Sequence, residues 1–426
     1  MSEHDGVTLC SIRWSEVFPW LSTLRSFRLA VTLRVLVLGA AGFLLMLLGW
    51  AVIGWVFSAS EQAGQLWHAQ FGTASACGAI DSAVPTDHAP PIASSPVVLG
   101  DPASPQCHLD PFSGTWLQLS RPLWQVFAER SVTLAALLCW ILSALWSLAV
   151  WAFFGGAISR IAAVQLACDE QVGWGASLRW AASKWLSYFG APLFPLAGVL
   201  VVVLPLLVGG WLMRLDVLLL LAGLFWPLAL VGGLVMALLL LGLIFGWPLM
   251  WATISVEGTD TFDALSRAYA YVFQRPLRYL LYAVLAAILG GLGWLLVENF
   301  AAAVIWLSLW GSSWGTGADR AKSILTGTGL GAMGGAGAAL MAFWAGLIKW
   351  LALGYFYGYF WTASTLIYYL LRRDVDATEM DEVFLEADQG EKQFNLPPLA
   401  ATDAPAPQAA DTTKPTDGPE TPPAGE

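Results

Sequence analysis

Cysteine and histidine have the strongest claim to redox or metal chemistry in this chain, and they concentrate in one stretch. Cys77 and Cys107 lie between residues 59 and 130 together with His68, His88 and His108, three of the four histidines. In an oxidising compartment Cys77 and Cys107 form a candidate disulfide. Its 30-residue loop would contribute about 3 to 4 kcal/mol by removing entropy from the unfolded chain. A histidine and cysteine metal centre is the competing chemistry. No pair has the short C-x-x-C or H-x-x-x-H spacing that preorganises ligands, so no metal is assigned.

Nucleophilic catalysis has still less to work with. There is no HExxH, GxSxG or P-loop pattern, no predicted span carries a histidine, and Cys139 stands on the second span with no base beside it. The expectation is a protein that is not an enzyme and needs no cofactor. Two charges remain in apolar surroundings, Glu298 and Lys349. A charge at the bilayer centre costs at least about 2.5 to 3.5 kcal/mol. The two are therefore a candidate ion pair at the outer ends of the fifth and sixth spans, with snorkelling of each to the interface as the alternative.

The elements that would carry these groups belong to a membrane. Hydrophobic residues make up 57% of the 426 and charged residues 12%, which excludes a water-soluble globule of this length. The formal charge of -10 is concentrated in a tail: residues 372–426 hold 4 basic and 13 acidic residues. The body is close to neutral, so no nucleic-acid partner is expected.

Hydrophobic runs then give an all-α, polytopic bundle of about six spans. An amphipathic cytosolic N-terminus (1–32) with Trp14 and Trp20 leads into the first span (33–57), which is too long for a cleaved signal. Residues 59–130 read as an irregular, Ala, Pro and Ser-rich extracytoplasmic loop. Residues 131–213 are two spans around an elbow at 160–190. After an outer turn at 214–216, residues 217–225 are too short to cross and read as a segment dipping into the outer leaflet, with Pro227 restarting the chain. Residues 226–309 are two spans around a second elbow at 257–276. A Gly-rich outer loop (310–334) precedes the sixth span (335–371), and Gly327, Gly331 and Gly335, at four-residue steps across that boundary, suggest either close helix approach or the glycine content of a loosely structured loop. An acidic cytosolic segment (372–396) and a Pro-rich tail (397–426) follow. This topology puts 14 of the 20 basic residues on the side of both termini, which the positive-inside rule makes cytosolic in a bacterial inner membrane.

The elbows are amphipathic. Asp260 can cap the second elbow helix and Pro276 must end it, while Leu265, Tyr269, Val272 and Phe273 fall on one face. Leu178, Trp185 and Leu186 repeat that spacing in the first elbow when the two are slid by 87 positions. The pairs of spans run in the same direction, a parallel internal repeat. A truncated third copy is suggested by Val375, Asp376, Thr378 and Glu379, which echo Val256, Glu257, Thr259 and Asp260.

The stretches VEGTDTFDALSRAYAYVFQRPLRY and FWTASTLIYYLLRRDVDATEMDEVFLE resemble an uncharacterised bacterial family of multi-spanning membrane proteins. That resemblance implies a fold and supplies no catalytic residues. More loosely, the paired spans and elbows are similar to the membrane domain of glycerophosphodiester phosphodiesterases, whose catalytic domain has no counterpart here. The function expected is a membrane-embedded interaction or assembly component. Its partners would be the lipid bilayer, a cytosolic protein docked through the elbow faces and acidic tail, and a second copy in a homo-oligomer. The alternative is a small-solute transporter or permease subunit coupled through its cytosolic elbows.

Overall fold

The computed structural model describes residues 23–57, 110–128, 133–378, 380 and 382–384. Cys77, Cys107 and the three loop histidines lie outside them, as does nearly all of the acidic tail. The described residues form eleven helices and no strand: α1 (Thr23–Ala30), α2 (Leu33–Val56), α3 (Pro111–Ala128), α4 (Leu134–Cys168), α5 (Trp174–Ser183), α6 (Trp185–Leu212), α7 (Asp216–Glu257), α8 (Thr261–Gln274), α9 (Pro276–Thr316), α10 (Ala318–Thr326) and α11 (Ala332–Asp376). Six of these, α2, α4, α6, α7, α9 and α11, are long and apolar enough to cross a membrane. The chain is an all-helical, multi-pass membrane protein.

Local signals place the second elbow as its sequence implies. Asp260 accepts from the Asp263 amide at 3.2 Å, which caps α8. Pro276 opens α9 at a position whose N–H has no helical partner to lose. The first elbow differs. Its helix α5 ends at Ser183, so Trp185 and Leu186 belong to α6, and Pro192 lies inside α6 with Pro195 and Pro205.

Proline also fails to break α7. Residues 217–225 are the first turns of a 42-residue helix that runs through Pro227 and Pro248. They are not a separate dipping segment. In an apolar surround a helix is the one way to satisfy the remaining backbone groups, so a lost bond at proline is tolerated. At about 1.5 Å per residue α7 reaches about 63 Å, twice the roughly 30 Å of a hydrocarbon core.

The loop between the first two spans is likewise not irregular throughout. Its last part is α3, capped by Asp110, whose two carboxylate oxygens accept from the Ser113 amide (2.6 Å) and hydroxyl (2.7 Å). This helix packs into the bundle. Trp116 Nε1 donates to the Ile244 carbonyl at 2.9 Å, Tyr357 donates to Gln118 at 2.9 Å, and Phe112 lies 5.5 Å from Phe360. The amphipathic face that docks α3 is built from Phe112, Thr115 and Trp116, at i, i+3 and i+4.

The glycines that let helices approach are not the expected ones. Gly327 ends α10 at φ 64°, and a Cβ added at Gly327, Gly331 or Gly335 would meet nothing within 4 Å. Gly327 caps α10, Gly331 precedes α11 and Gly335 lies in its first turn. The close approach is between α2 and α11, where a Cβ at Gly39 would sit 2.3 Å from the Gly354 carbonyl oxygen and one at Gly354 would sit 2.0 Å from that of Leu36.

Burial is concentrated toward the elbow end. Residues 147–166 of α4, 243–256 of α7 and 352–371 of α11 hold most of the core, whereas the far halves of α6, α7, α9 and α11 expose leucine, valine and tryptophan as lipid-facing helices do. The core is aromatic. Trp251 and Trp361 stack at 4.4 Å, Trp151 and Tyr357 at 4.8 Å, and Gly155 leaves room for the first pair because its Cβ would lie 2.7 Å from Trp361 and 2.9 Å from Trp251.

The three inner helices α4, α7 and α11 end on residues in the left-handed region, Asp169 (φ 54°), Gly258 (φ 68°) and Ala377 (φ 54°). Only glycine takes that conformation without a steric penalty. Ala377→Gly should therefore raise stability by about 1 kcal/mol, and Gly258→Ala should lower it by about as much. Thermal unfolding of the detergent-solubilised protein measures both.

Candidate functional site

The densest set of polar and ionisable side chains lies where α7, α8 and α11 meet. α7 ends at Glu257, the short 258–260 link turns the chain, and α8 folds back so that its small residues pack on α7: a Cβ at Gly246 would lie 3.7 Å from that of Ala268. This brings two guanidiniums and a phenol to one carboxylate. Glu257 Oε1 accepts from Arg267 Nη1 at 2.8 Å and from the Tyr368 hydroxyl at 2.6 Å, and lies 3.3 Å from Arg372 Nε. Its side chain is 10% exposed and that of Arg372 12%.

The chain after α11 folds onto the same surface. Arg372 Nη1 donates to the Glu382 carbonyl at 2.8 Å, and Val375, Met380 and Val383 pack against the core. Asp374 takes Arg278 at 2.9 Å and the Tyr282 hydroxyl at 3.0 Å, and the Tyr271 hydroxyl donates to Asp376. The start of the acidic segment is thus part of the bundle. Burial works against the charge on Arg267, yet Glu257, Tyr368 and Asp263 outweigh it and hold its pKa above the ordinary value. Burial pushes the Tyr269 phenol up to about 12 and raises that of Tyr271, to which the Asp376 hydrogen bond adds. Both phenols stay protonated and act as donors.

A second cluster surrounds Arg160, buried on α4. Its Nη1 donates to the Ser255 carbonyl at 2.8 Å, and its guanidinium lies 3.9 Å from the centre of the Trp180 ring. Trp180 Nε1 donates to the Tyr188 hydroxyl at 3.1 Å, which in turn shares a 2.8 Å hydrogen bond with Ser255 Oγ. One arginine thereby joins α4, α5, α6 and α7. The only sequence signal was a lone cation interrupting an apolar run.

The residues singled out as docking faces divide. Leu178 and Leu265 pack against the core, Val272 is buried, Trp185 donates to the Ala149 carbonyl at 3.0 Å, and Tyr269 donates to that of Leu239 at 2.6 Å while covering Gly242. These five are engaged within the chain. Leu186 and Phe273 remain exposed. Among the described residues no ion pair joins Glu298 to Lys349. Trp294 of α9 meets Phe356 of α11 at 5.6 Å, and farther out both helices carry exposed apolar side chains such as Phe300, Leu307, Phe343 and Leu347.

The chemistry available in these clusters is structural pairing of charges and phenols at helix ends. Among the described residues no group of three or more His, Cys, Asp or Glu is placed to hold a metal ion. Cys139 is buried, and Cys168 is exposed at the end of α4. Comparison with known proteins by family model, by sequence and by structure finds no match.

Proposed function

We propose that this protein is a non-catalytic interaction or assembly component of the bacterial inner membrane, with both termini and both elbows in the cytosol, that engages a protein partner at its elbow end. One observation carries this reading. After the elbow faces have packed inward, Leu186 is 74% exposed and Phe262 60% exposed, with Phe262 against Phe194 at 4.3 Å where the start of α8 crosses the start of α6. Thr261 Oγ1 donates to the Ser187 carbonyl at 3.3 Å and holds that crossing together. An apolar patch beside charged helix ends, at a level where the basic residues of both elbows gather, is the composition of a contact surface. Val383, which closes the described body, packs against the core beside Arg372 and Glu382.

The test is a photo-crosslinking residue at position 262 in the full chain in native membranes, with position 220 on the lipid-facing half of α7 as control. A protein adduct at 262 and none at 220 is the expected result. Cutting the chain after Phe384 shows whether the tail contributes, and preserves the contacts of Asp374, Asp376 and Glu382. Lipid adducts at both positions, with substrate-dependent flux in proteoliposomes, would overturn this reading in favour of a transporter.

A further inference from the structure

The two elbow units visible in the sequence order, α4–α5–α6 and α7–α8–α9, leave five helices over, among them α11, α1 and α2. Four independent features show these three occupying the corresponding places. The first is the elbow register. Ser26-Phe-Arg-Leu-Ala30 of α1, Ser177-Leu-Arg-Trp-Ala181 of α5 and Ala264-Leu-Ser-Arg-Ala268 of α8 share one pattern, and its two small positions are at most 1% exposed in all three. The residue after the first small one, Phe27, Leu178 or Leu265, packs half-buried on the core each time.

The inner helices supply the second feature. The Val375 and Val256 echo corresponds to a shift of 119 positions, which superposes Ala377 on Gly258, and both are left-handed caps. The cap of α4 is Asp169, so the first two units correspond there with a shift of 89 rather than the 87 of their elbow helices.

Third, each elbow donates to the cap of the unit that follows. Lys184 Nζ at the end of α5 donates to the Gly258 carbonyl at 2.6 Å, Tyr271 of α8 donates to Asp376 beside Ala377, and Arg25 of α1 donates to Asp169 at 2.7 Å. The series closes on itself. Fourth, each outer span packs on the next inner helix. α6 meets α7 through Gly198 and Leu239, α9 meets α11 through Gly290 and Tyr359, and α2 meets α4 through Met46 with Trp151 and Trp50 with Ser147.

We propose that the membrane body is a closed ring of three elbow units, the third assembled from segments at opposite ends of the sequence: α11 as inner helix, α1 as elbow and α2 as outer span. The interaction surface this assigns lies on α11 and α4, and its partner is the segment 23–56 of the same chain. Small residues at 26 and 30 admit the close approach, Gly39 and Gly354 form the tightest crossing, and Arg25 latches the ring. Inside it the inner helices touch pairwise, through Arg160 with Ser255, Tyr368 with Glu257, and Tyr369 with the Ala163 carbonyl. Helix α3, outside the three units, packs on the inner helices α11 and α4 and on the outer span α9, and reaches α7 through Trp116 and the Ile244 carbonyl.

The ring predicts that α1 is as indispensable as the internal elbows. Ala30→Leu, Ala181→Leu and Ala268→Leu, each in the full chain, should all lose the monodisperse peak of the purified protein or lower its thermal midpoint to a similar extent. A wild-type peak and midpoint for Ala30→Leu alone would overturn the proposal, because a helix merely resting on a leaflet accepts a leucine there. A second measurement does not require a destabilised variant. With the native cysteines replaced by serine, Ser26→Cys and Thr362→Cys should crosslink within one chain, since Thr362 Oγ1 lies 3.4 Å from the Ser26 carbonyl. No crosslink, or one only between chains, would overturn the assembly of the third unit from the chain's own N-terminal segment. Neither readout depends on whether a protein partner is found at the elbow end.

Discussion

Glu257→Ala should destabilise the protein by about 3 to 5 kcal/mol, the usual cost of breaking a buried ion pair from one side. The carboxylate faces two guanidiniums and a phenol, and its removal leaves Arg372, 12% exposed, beside Arg267 with no shared counter-charge. Two cations left around the site of one lost carboxylate repel in a medium that screens poorly. Glu257→Gln should cost less, because an amide oxygen still accepts from Tyr368 and Arg267. The double variant Glu257→Ala, Arg372→Met should recover part of the loss, since the second change removes the stranded cation. Thermal or denaturant unfolding in detergent ranks the three. If Glu257→Ala melts with the wild type, the cluster does not clamp α8 to α7 and α11.

The second large effect is expected from a single methyl group. Gly354→Ala places a Cβ 2.0 Å from the Leu36 carbonyl oxygen, with the Ala40 nitrogen at 3.0 Å. The obstructing atoms are backbone, so no rotamer change relieves the clash. α2 must move off α11, which also withdraws Gly39 and the Phe43 ring stacked on Tyr357 at 4.9 Å. A loss of about 3 kcal/mol, the upper end of typical overpacking costs, is expected. Gly346→Ala is the control on the same helix. A Cβ at Gly346 meets nothing within 4 Å, so alanine there should be neutral or stabilising by up to about 1 kcal/mol through helix propensity.

The positions of these two sites show where sequence patterns stop being informative. The motif at Gly354 is present in plain form, Gly354-Tyr-Phe-Tyr-Gly358, as a small-xxx-small pair. Gly327, Gly331 and Gly335 have the same spacing and make no close helix contact. Spacing alone cannot separate the two cases, because glycine at four-residue steps looks the same whether it removes a Cβ from a helix crossing, takes a positive φ as Gly327 does, or simply stands in open space as Gly331 and Gly335 do. α3 is hidden in the sequence for a related reason. Its apolar positions are diluted by Ser113, Thr115, Gln118 and Ser120, and a helix that docks against aromatic side chains needs less hydrophobicity than one facing lipid. Glu298 and Lys349 attracted attention because charges in apolar runs are costly, but cost identifies a residue, not its neighbour.

The sequence by itself determined the class of the protein and its second elbow. Apolar runs of more than 20 residues have no stable state outside a bilayer or a large core, and an Asp cap, a glycine stop and a proline start are local devices that act wherever the chain is placed. Amphipathic spacing specified the elbow faces but not their partner: five of the seven residues expected to dock another protein pack on the chain's own core. Only the tertiary structure decided what those faces meet. That Arg25 closes a ring on Asp169, that Glu257 gathers Arg267, Tyr368 and Arg372, and that α11 finds its elbow and outer span more than 300 residues earlier in the chain are pairings across long sequence separations. Such contacts are chosen by which surfaces fit at close range, and side-chain periodicity carries no record of that fit.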